Sequence, residues 1–308
     1  MNFEGVININ KPAGWTSQDV CAKMRGRLHI KKIGHTGTLD PMATGVLPVC
    51  IGNATRIIEY YDMDHKSYHA TMKLGVETDT MDITGEVINT NEDFRLNIED
   101  IFNAFEEYKG EIEQIPPKYS AVKINGKRAY ELAREGIDPE IKPRKITIYS
   151  NKLINVNLAE KTVEFDVECS KGTYIRTMVS DIGRKIGCGA TMTALTRTGS
   201  GRFKLCEAIS LDRFLEMTDE EIAARIIPAD STIGNLASVH VDDEYVTAAV
   251  HGNFLKEGSY YIDGISKFEQ NGEKCFKIYG KLEGDDKEKF IGIGVLQENG
   301  IQPKKVVV

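Results

Sequence analysis

The segment of residues 34–48 holds the strongest candidate in the chain for a chemically active group. It reads GHTGTLDPMATGVLP, and its three glycines and two prolines argue against a regular helix or strand over most of its length. Asp40 lies at its centre, directly before Pro41. Because proline disfavours helical dihedrals in the preceding residue and has no amide hydrogen, Asp40 is predicted to project from a stiff, extended corner. A carboxylate held in this way can act as a nucleophile or a general base.

The residues alone leave a second interpretation of this loop open. An aspartate before proline often forms only an Asx turn or a cap, in which case Asp40 would be structural. The glycines also invite comparison with a phosphate-binding loop, but the pattern G-x-x-x-x-G-K-[ST] is absent from the chain. The segment therefore offers a catalytic acid or a turn residue, and argues against nucleoside triphosphate binding.

The other polar clusters lack the spacing of metal ligands. His65 and His69 stand four residues apart, but on a predicted strand this spacing does not bring ligands together as it would on a helix. Asp79, Asp82 and Glu86 lack the spacing of a calcium loop and are interpreted as turn residues. We therefore expect no metal site.

Length and composition indicate an ordinary folded protein of two domains. The chain has 308 residues, of which 41% are hydrophobic and 28% charged. It contains no apolar run of membrane-spanning length and no signal-peptide pattern at its start, so we expect a cytoplasmic protein. The six cysteines form no C-x-x-C pair and are predicted to be reduced, buried thiols.

The charge is unevenly distributed along the chain. The formal net charge of −7 argues against binding nucleic acid through overall positive charge. Residues 23–32, however, hold five lysines and arginines without an acid, while acids gather around residues 216–221 and 283–288. Such a basic run is either an RNA-backbone surface or a solvated face.

Local patterns predict the elements that position these residues. Ser17 is predicted to cap a helix over residues 18–28, and the alternation over residues 68–74 predicts a strand with Tyr68 on its apolar side. Asn97 and Asp100 resemble a capping box for a helix that Gly110 would end.

Further along, a short helix is predicted over residues 127–135, and a strand over residues 163–169 is followed by another helix. That helix has an apolar stripe (Ile175, Val179, Ile182 and Ile186), and Arg176 is expected beside the stripe, not on it. Beyond Pro228, short apolar runs broken by glycines predict a small all-β unit, with a domain boundary near residues 230–238.

Five segments occur in the order found in the TruB family, the bacterial tRNA pseudouridine-55 synthases, and the chain resembles that family over most of residues 8–200. They are NKPAGWTS at 10–17, GHTGTLDPMATGVLP at 34–48, KSY at 66–68, PPKYSAVKINGKRAYELAREG at 116–136 and CSKGTYIRTMVSDIG at 169–183. The C-terminal region looks like the small PUA-type RNA-binding barrel of the same family.

The resemblance implies an α+β fold, with a mixed, largely antiparallel central sheet flanked by helices and a small β-barrel-like C-terminal domain. It implies a catalytic domain at residues 1–232 and an RNA-binding domain at residues 233–308. The implied activity is the isomerisation of uridine 55 in the T-arm of tRNA, without a cofactor. A monomer that needs neither a protein partner nor a guide RNA is expected.

The resemblance also implies roles for three residues of the reaction site. Asp40 takes the place of the catalytic aspartate, Arg176 pairs with its carboxylate, and Tyr68 stacks on the target base near the sugar carbon that loses a proton. Without the resemblance, Tyr68 would be interpreted as a core tyrosine and Arg176 as a solvated helix residue. An arginine within about 4 to 6 Å lowers a carboxylate pKa by roughly 1 to 3 units, which would oppose the effect of burial on Asp40.

Five further residues are expected to contact the RNA. By the same transfer, His35 would fill the space that the flipped nucleotide leaves, and Leu195 would pack against the target base. Lys11, in the first matching segment, and Lys31 and Lys32, at the end of the basic run, are candidates for substrate or backbone contacts.

Two alternative functions are disfavoured by features of the sequence. A non-catalytic RNA-binding protein would need no acid such as Asp40, so the combination of Asp40, Tyr68 and Arg176 disfavours it. The guide-RNA-dependent relative of archaea and eukaryotes is expected to carry a larger C-terminal RNA module and basic extensions, which this acidic sequence does not show.

Overall fold

The computed structural model describes residues 3–61, 63–95, 97–234, 236–266, 269–270 and 272–308. The strands in chain order are β1 (Gly5–Lys11), β2 (Ile33–His35), β3 (Thr44–Ile51), β4 (His65–Leu74), β5 (Val76–Thr78), β6 (Val87–Thr90), β7 (Gly110–Gln114), β8 (Lys123–Ile124), β9 (Lys127–Arg128), β10 (Arg144–Asn157), β11 (Thr162–Ser170), β12 (Ala190–Ser200), β13 (Phe203–Lys204), β14 (Ile209–Ser210), β15 (Ala237–Val241), β16 (Leu255–Lys256), β17 (Tyr260–Asp263), β18 (Glu269–Gln270), β19 (Glu273–Gly280), β20 (Lys289–Gln297) and β21 (Gly300–Val306).

The α-helices are α1 (Ser17–Leu28), α2 (Ile98–Glu107), α3 (Ala129–Arg134), α4 (Ile175–Ile186), α5 (Leu211–Glu216), α6 (Asp219–Arg225) and α7 (Val246–Val250). Short 3₁₀ helices occupy Gly52–Tyr60, Leu205–Glu207, Ala229–Thr232 and Asp243–Tyr245.

A ten-stranded mixed sheet forms the body of the protein. Its order is β14-β1-β3-β12-β4-β11-β10-β7, with β2 paired to β3 and β13 paired to β12. The pairs β1–β14 and β3–β12 are parallel, and the other pairs are antiparallel. The predicted α+β class with a mixed, largely antiparallel sheet is confirmed.

Helices cover this sheet and define where its core lies. Helices α2 and α4 pack on β4, β10, β11 and β12 around a cluster that includes Phe105, Phe165 and Met178. Helices α1, α5 and α6 cover β1 and β3 around Met24 and Phe214. Because the apolar residues of β4 and β11 alternate with polar ones, their opposite face stays open to solvent.

The C-terminal residues form a second, seven-stranded sheet in the order β16-β21-β20-β19-β15-β17, with β18 paired to β19. This open half-barrel fits a PUA-like domain. It also contains α7, so the prediction of an all-β unit is wrong in that detail. The proposed boundary between residues 232 and 233 falls after a 3₁₀ helix, and we retain the two-domain division as a proposal.

Three local predictions need correction. Thr16, not Ser17, caps α1, because its hydroxyl accepts from the Asp19 amide while the Asp19 carboxylate accepts from the Thr16 amide. Asn97 does cap α2, but by accepting from the Glu99 amide and not through a capping box with Asp100. That helix ends at Glu107, and Gly110 begins β7.

The predicted irregular segment at residues 34–48 is shorter than expected. Strands β2 and β3 take in both of its ends, which leaves residues 36–43 as the irregular loop. Gly45 lies within β3 at φ 101°, and a Cβ there would come 2.2 Å from the carbonyl oxygen of Arg197. Glycine is therefore required at this position by the close approach of β12, and does not interrupt the strand.

Two predictions concern the protein as a whole. All six cysteines are free thiols, and five of them are buried while Cys206 is exposed. Among the described residues, the helices are too short or too polar to cross a membrane.

Candidate active site

The loop of residues 36–43 is held in place by contacts from the N-terminal part of the chain. The Ser17 hydroxyl accepts from the Leu39 amide at 2.9 Å, and the Gly14 amide donates to the Pro41 carbonyl at 2.8 Å. Within the loop, the Ala43 amide donates to the Asp40 carbonyl. These contacts fix the backbone on both sides of Asp40, so the carboxylate leaves the loop in a defined direction.

Lys11 supports the same loop from inside the protein. It is fully buried, and its ammonium group donates to the carbonyls of Pro12, Trp15 and Pro41 at 2.9, 2.6 and 3.2 Å. Burial lowers its pKa to about 8. An RNA contact requires an accessible ammonium group, so this placement corrects our expectation for Lys11: it ties the first matching segment to the residue that follows Asp40.

Arg176 forms a two-pronged pair with Asp40. Its Nε lies 2.9 Å from Oδ2 of Asp40, and its Nη2 donates to Oδ1 at 3.2 Å. The arginine is 4% exposed, so its expected position beside the buried stripe of α4 is wrong. The first two turns of α4 are buried on nearly all sides, because α2 and the sheet enclose them. The arrangement orients the Asp40 carboxylate, whose side chain is 31% exposed.

The guanidinium of Arg176 is held from three further directions. Nη1 donates to the Thr80 carbonyl and Nη2 to the Tyr119 carbonyl, both at 3.0 Å. Nη1 also lies 3.6 Å from Oδ2 of Asp82, which is itself buried. The interpretation of Asp82 as only a turn residue is therefore incomplete: its Oδ1 does accept from the Thr84 amide, but its other oxygen faces the site.

The charge state of Asp40 is set by opposing effects. Burial raises the pKa of its carboxyl above the ordinary value, the guanidinium of Arg176 lowers it, and the charge of Asp82 raises it. Burial outweighs the pair, so the net direction is upward. The expected opposition by Arg176 is present, and without it the carboxyl would be still harder to ionise.

A first prediction follows for Asp82→Asn. The substitution keeps the shape and removes a negative charge that raises the Asp40 pKa, so the acid limb of the pH–rate profile should move to lower pH. It also removes the ion pair that helps to keep the Arg176 guanidinium in position, so kcat should fall about 10- to 100-fold. Both are measured in one pH series of single-turnover rates, with Asp79→Asn as the exposed control. An unchanged rate and profile would show that Asp82 is only a turn residue.

Tyr68 and Leu195 lie on neighbouring strands in the core that includes Leu39 and Ala43. Tyr68 is 9% exposed and Leu195 is 7% exposed, and both point to the inner side of β4 and β12. Burial raises the pKa of the Tyr68 phenol, so it is a neutral ring at neutral pH. An aromatic and an aliphatic side chain on one sheet face thus form an apolar floor next to the Asp40 loop.

His35 and the basic run lie towards the outside of the same region. His35 is partly buried on β2, and its Nε2 lies 3.2 Å from Nε2 of Gln18. Burial, and the charges of Arg197 and Arg25, lower its pKa, which favours the neutral ring. Lys31 and Lys32 are exposed, and Lys32 donates to Asn53.

Two other arginines of the basic run are already engaged. Arg27 pairs with Asp219 at 2.9 Å, and Arg25 donates to the Ile33 carbonyl. Elsewhere in the described part of the chain, no group of three or more His, Cys, Asp or Glu side chains could hold a metal ion. His65 and His69 instead face Glu168 and Asp166 across the open side of the sheet.

Of the residues predicted for the reaction site, Asp40 and Arg176 are in contact and Tyr68 lies in the core beside their loop, whereas Asp82 and Arg197 were not predicted to lie near them. Arg197 is 1% exposed and lies two residues from Leu195 on the inner side of β12. An arginine at an inward position of an alternating strand was the available signal. Asp82 offered no comparable signal, because it is one of several acids in a turn that also holds three threonines.

Two solved structures of multi-component complexes contain a chain with this architecture. A Cbf5–Nop10–Gar1 complex contains a chain that is 27% identical, with a TM-score of 0.73 over 99% of this chain and 85% of that chain. The structure of an H/ACA RNP bound to a substrate RNA containing 2′-deoxyuridine gives 25% identity and a TM-score of 0.70, with 99% and 85% coverage. The fold of this chain is thus one found in RNA-associated protein complexes.

Comparison with families and curated relatives narrows this class. Residues 25–175 match the TruB family pseudouridylate synthase N-terminal domain, and residues 176–233 match the tRNA pseudouridylate synthase B C-terminal domain. Proteins called tRNA pseudouridine synthase B are 44% identical in Clostridium kluyveri, over 99% of this chain and 100% of that one, and 39% identical in Francisella philomiragia, over 99% and 95%. The chain belongs to the TruB family and is a pseudouridine synthase.

Proposed function

We propose that the chain converts uridine 55 in the T-arm of tRNA to pseudouridine, with Asp40 as the catalytic aspartate. The observation that carries the assignment of Asp40 is its two-pronged pair with the buried Arg176, beside the floor formed by Tyr68 and Leu195. The relatives' names supply the tRNA substrate.

The reaction explains why a carboxylate and a closed floor are needed together. The N1–C1′ glycosidic bond breaks, the uracil turns, and C5 bonds to C1′; C5 then loses its proton while N1 gains one. The net change is an isomerisation, so no redox group is required. Asp40 has three possible roles in this sequence: attack on C1′, attack on the base, or removal of the C2′ proton. In each of them the carboxylate must be ionised, which is the contribution of Arg176.

The target base must leave its stack before Asp40 can reach it. Extrusion costs a few kcal/mol, and stacking on an aromatic ring stabilises the extruded base by about 1 to 3 kcal/mol. Tyr68 provides that ring, and Leu195 confines the base while it is detached. His35, at the edge of the same region, is proposed to occupy the space that the base leaves in the RNA.

A T-arm stem-loop RNA provides the direct test. The protein is incubated with this RNA and with one in which the target uridine is replaced by cytidine, and pseudouridine is mapped by mass spectrometry. We expect one pseudouridine, at position 55, in the first RNA only. Absence of product, or product at other uridines with equal yield, would contradict the proposed substrate.

A second prediction concerns metal ions. The mechanism relies on Asp40, Arg176 and the RNA alone, so the single-turnover rate should be unchanged in excess EDTA. The RNA fold is checked under the same conditions by its melting curve. Loss of activity that zinc restores, with the RNA still folded, would contradict this prediction.

A third prediction tests Lys31 and Lys32 as an RNA-backbone surface. Replacing both with alanine should weaken RNA binding and flatten the slope of log affinity against log salt by up to about 0.9 per lost phosphate contact. The matched control replaces Lys145 and Lys185, which already pair with Glu111 and Glu107. Equal slopes for the two double variants would show that Lys31 and Lys32 form a solvated face and do not contact the RNA backbone.

We further propose that the chain acts alone, as a cytoplasmic monomer. The structural neighbours are described in complexes with Nop10 and Gar1, which raises the alternative of a partner-dependent enzyme. The curated relatives favour independence, because they match this chain over nearly their whole length and at higher identity. Activity of the purified chain on tRNA, without added RNA or protein, decides between the two. The C-terminal half-barrel is proposed to add RNA contacts outside the T-loop.

A further inference from the structure

Arg197 is a fully buried cation that the site described above does not use. It is 1% exposed, and burying a guanidinium is costly unless a partner compensates it. Arg176 has two carboxylates for this purpose. Arg197 forms no ion pair with any carboxylate of the described residues, and burial lowers its pKa. An apolar side chain of similar volume would fill the space without desolvating a charge, so packing alone does not account for Arg197.

Its two hydrogen-bond acceptors lie on the two sides of the Asp40 loop. Nε donates to the Val46 carbonyl at 2.6 Å, and Nη2 donates to the Gly37 carbonyl at 3.2 Å. Gly37 is the second residue of the loop and Val46 follows the loop in β3, so one guanidinium joins the two sides of the loop. Arg197 is also the direct cross-strand partner of Tyr68.

A second buried cation lies next to this cluster. Nζ of Lys66 donates to the Ser200 hydroxyl at 2.5 Å, and burial together with the charge of Arg197 lowers the Lys66 pKa to about 7. A Cβ built on Gly37 would lie 3.7 Å from Nη1 of Arg197 and 3.9 Å from Nζ of Lys66. Both cations therefore face the start of the loop, where a side chain longer than glycine would reach them.

We propose that Arg197 is a positioning residue for the isomerisation: its guanidinium bonds both sides of the Asp40 loop from the β12 position directly opposite Tyr68, and so sets the separation between the loop and the Tyr68 ring. Asp40 acts on the nucleotide that Tyr68 stacks, so the distance between them decides whether the carboxylate meets the reacting carbon. A displacement of about 1 Å at a reacting centre costs on the order of 100-fold in rate. This inference rests on the proposed function of Asp40 and Tyr68.

The first test is Arg197→Lys, which keeps the charge but loses the planar fork that bonds the Val46 and Gly37 carbonyls at once. The single-turnover rate at saturating T-arm RNA should fall about 30- to 100-fold, while the Kd for RNA stays within about threefold. Measurement well below the unfolding midpoint separates this from loss of folded protein. The control is Arg202→Lys, an exposed arginine that bonds the Ser231 carbonyl, and its rate should equal the parent's.

The second test leaves Arg197 in the chain and gives its guanidinium a new partner. In Gly37→Asp the new carboxylate comes within reach of Arg197 and Lys66, so Arg197 gains a counter-ion, the protonated form of Lys66 is stabilised, and the unfolding midpoint should stay level or rise. The guanidinium is drawn away from the Gly37 and Val46 carbonyls. On the plateau of each pH–rate profile, where the effect of the new charge on the Asp40 pKa no longer contributes, the rate should fall at least about tenfold below that of Gly37→Asn, which has the same shape without the charge. A stabilised but slower enzyme on that plateau is not expected if Arg197 only supports folding.

These outcomes separate this inference from the proposed function. If the parent protein forms no pseudouridine in the T-arm RNA, the proposed function fails. If the parent is active, the inference is overturned by a folded Arg197→Lys variant within about threefold of the parent rate, or by a rate loss matched by an equal loss of RNA affinity. If Arg197→Lys does not fold, the Gly37 pair decides: equal rates for Gly37→Asp and Gly37→Asn would overturn it.

Discussion

Asp40→Asn should leave an enzyme that binds T-arm RNA but forms no measurable pseudouridine. The amide has nearly the volume of the carboxylate and can still accept from Nη2 of Arg176 through its oxygen. It cannot form or break the covalent bonds of the reaction, nor take a proton. Loss of a group with such a role costs at least about four powers of ten in rate, far more than loss of a positioning contact. Binding rests on stacking and phosphate contacts, so the Kd should remain near the parent's.

Three measurements on the same preparation test this expectation: single-turnover rate, RNA affinity and thermal unfolding. Arg176 keeps Asp82 and two carbonyl acceptors in the variant, so the unfolding midpoint should fall only modestly. Asp166→Asn, on the open face of the same sheet, serves as the control and should retain full activity. Turnover within about tenfold of the parent would refute the catalytic role. Loss of activity with an equal loss of affinity and stability would make Asp40 a structural turn residue.

Replacement of Arg176 should have the second largest effect, and two substitutions separate charge from geometry. Arg176→Lys keeps a cation near Asp40 but loses the two-pronged pair and the bonds to the Thr80 and Tyr119 carbonyls. The carboxylate then stays ionisable but is poorly oriented, and kcat should fall about 10²- to 10³-fold. The affinity for RNA should change little, since the arginine is buried beneath the carboxylate.

Arg176→Met removes the cation altogether and should act on folding as well. It leaves Asp40 and Asp82 close together without a counter-charge, which should destabilise the fold by about 3 to 5 kcal/mol and raise the Asp40 pKa further. The pH–rate profile of any residual activity should then shift to higher pH. A lysine variant as active as the parent would show that charge alone is needed; a methionine variant of parental stability would show that the pair carries little energy.

Local sequence patterns determined much of this protein because the physics behind them is local. The glycines and prolines of residues 34–48 predicted an irregular corner around Asp40, and the alternation along β4 predicted the inward side of Tyr68. Both features depend on the dihedral preferences and side-chain directions of adjacent residues. The ordered motifs likewise identified the family, which the comparisons with relatives confirm.

The composition of the site was decided only by tertiary structure. Arg176 and Asp40 lie 136 residues apart in the chain, and nothing in the pattern of α4 indicates that its first turn is enclosed on nearly all sides. The same holds for Lys11, which was predicted to contact the RNA but is buried and bonds the Pro41 carbonyl. A periodic pattern shows which side of an element is apolar, but it does not show which distant backbone carbonyls that side will meet.

Asp82 and Arg197 are the residues whose surroundings the local sequence pattern indicated least. Each sits in a segment whose local role is complete without it, a polar turn for Asp82 and an alternating strand for Arg197. Their functional partners come from strands and loops that are brought together when the sheet forms. The sequence by itself therefore indicated the irregular corner around Asp40, the inward side of Tyr68 and the family, because these follow from local conformation and motif order. Only the folded sheet decided which charges surround the acid, because a buried charge is stabilised by groups from several distant segments at once.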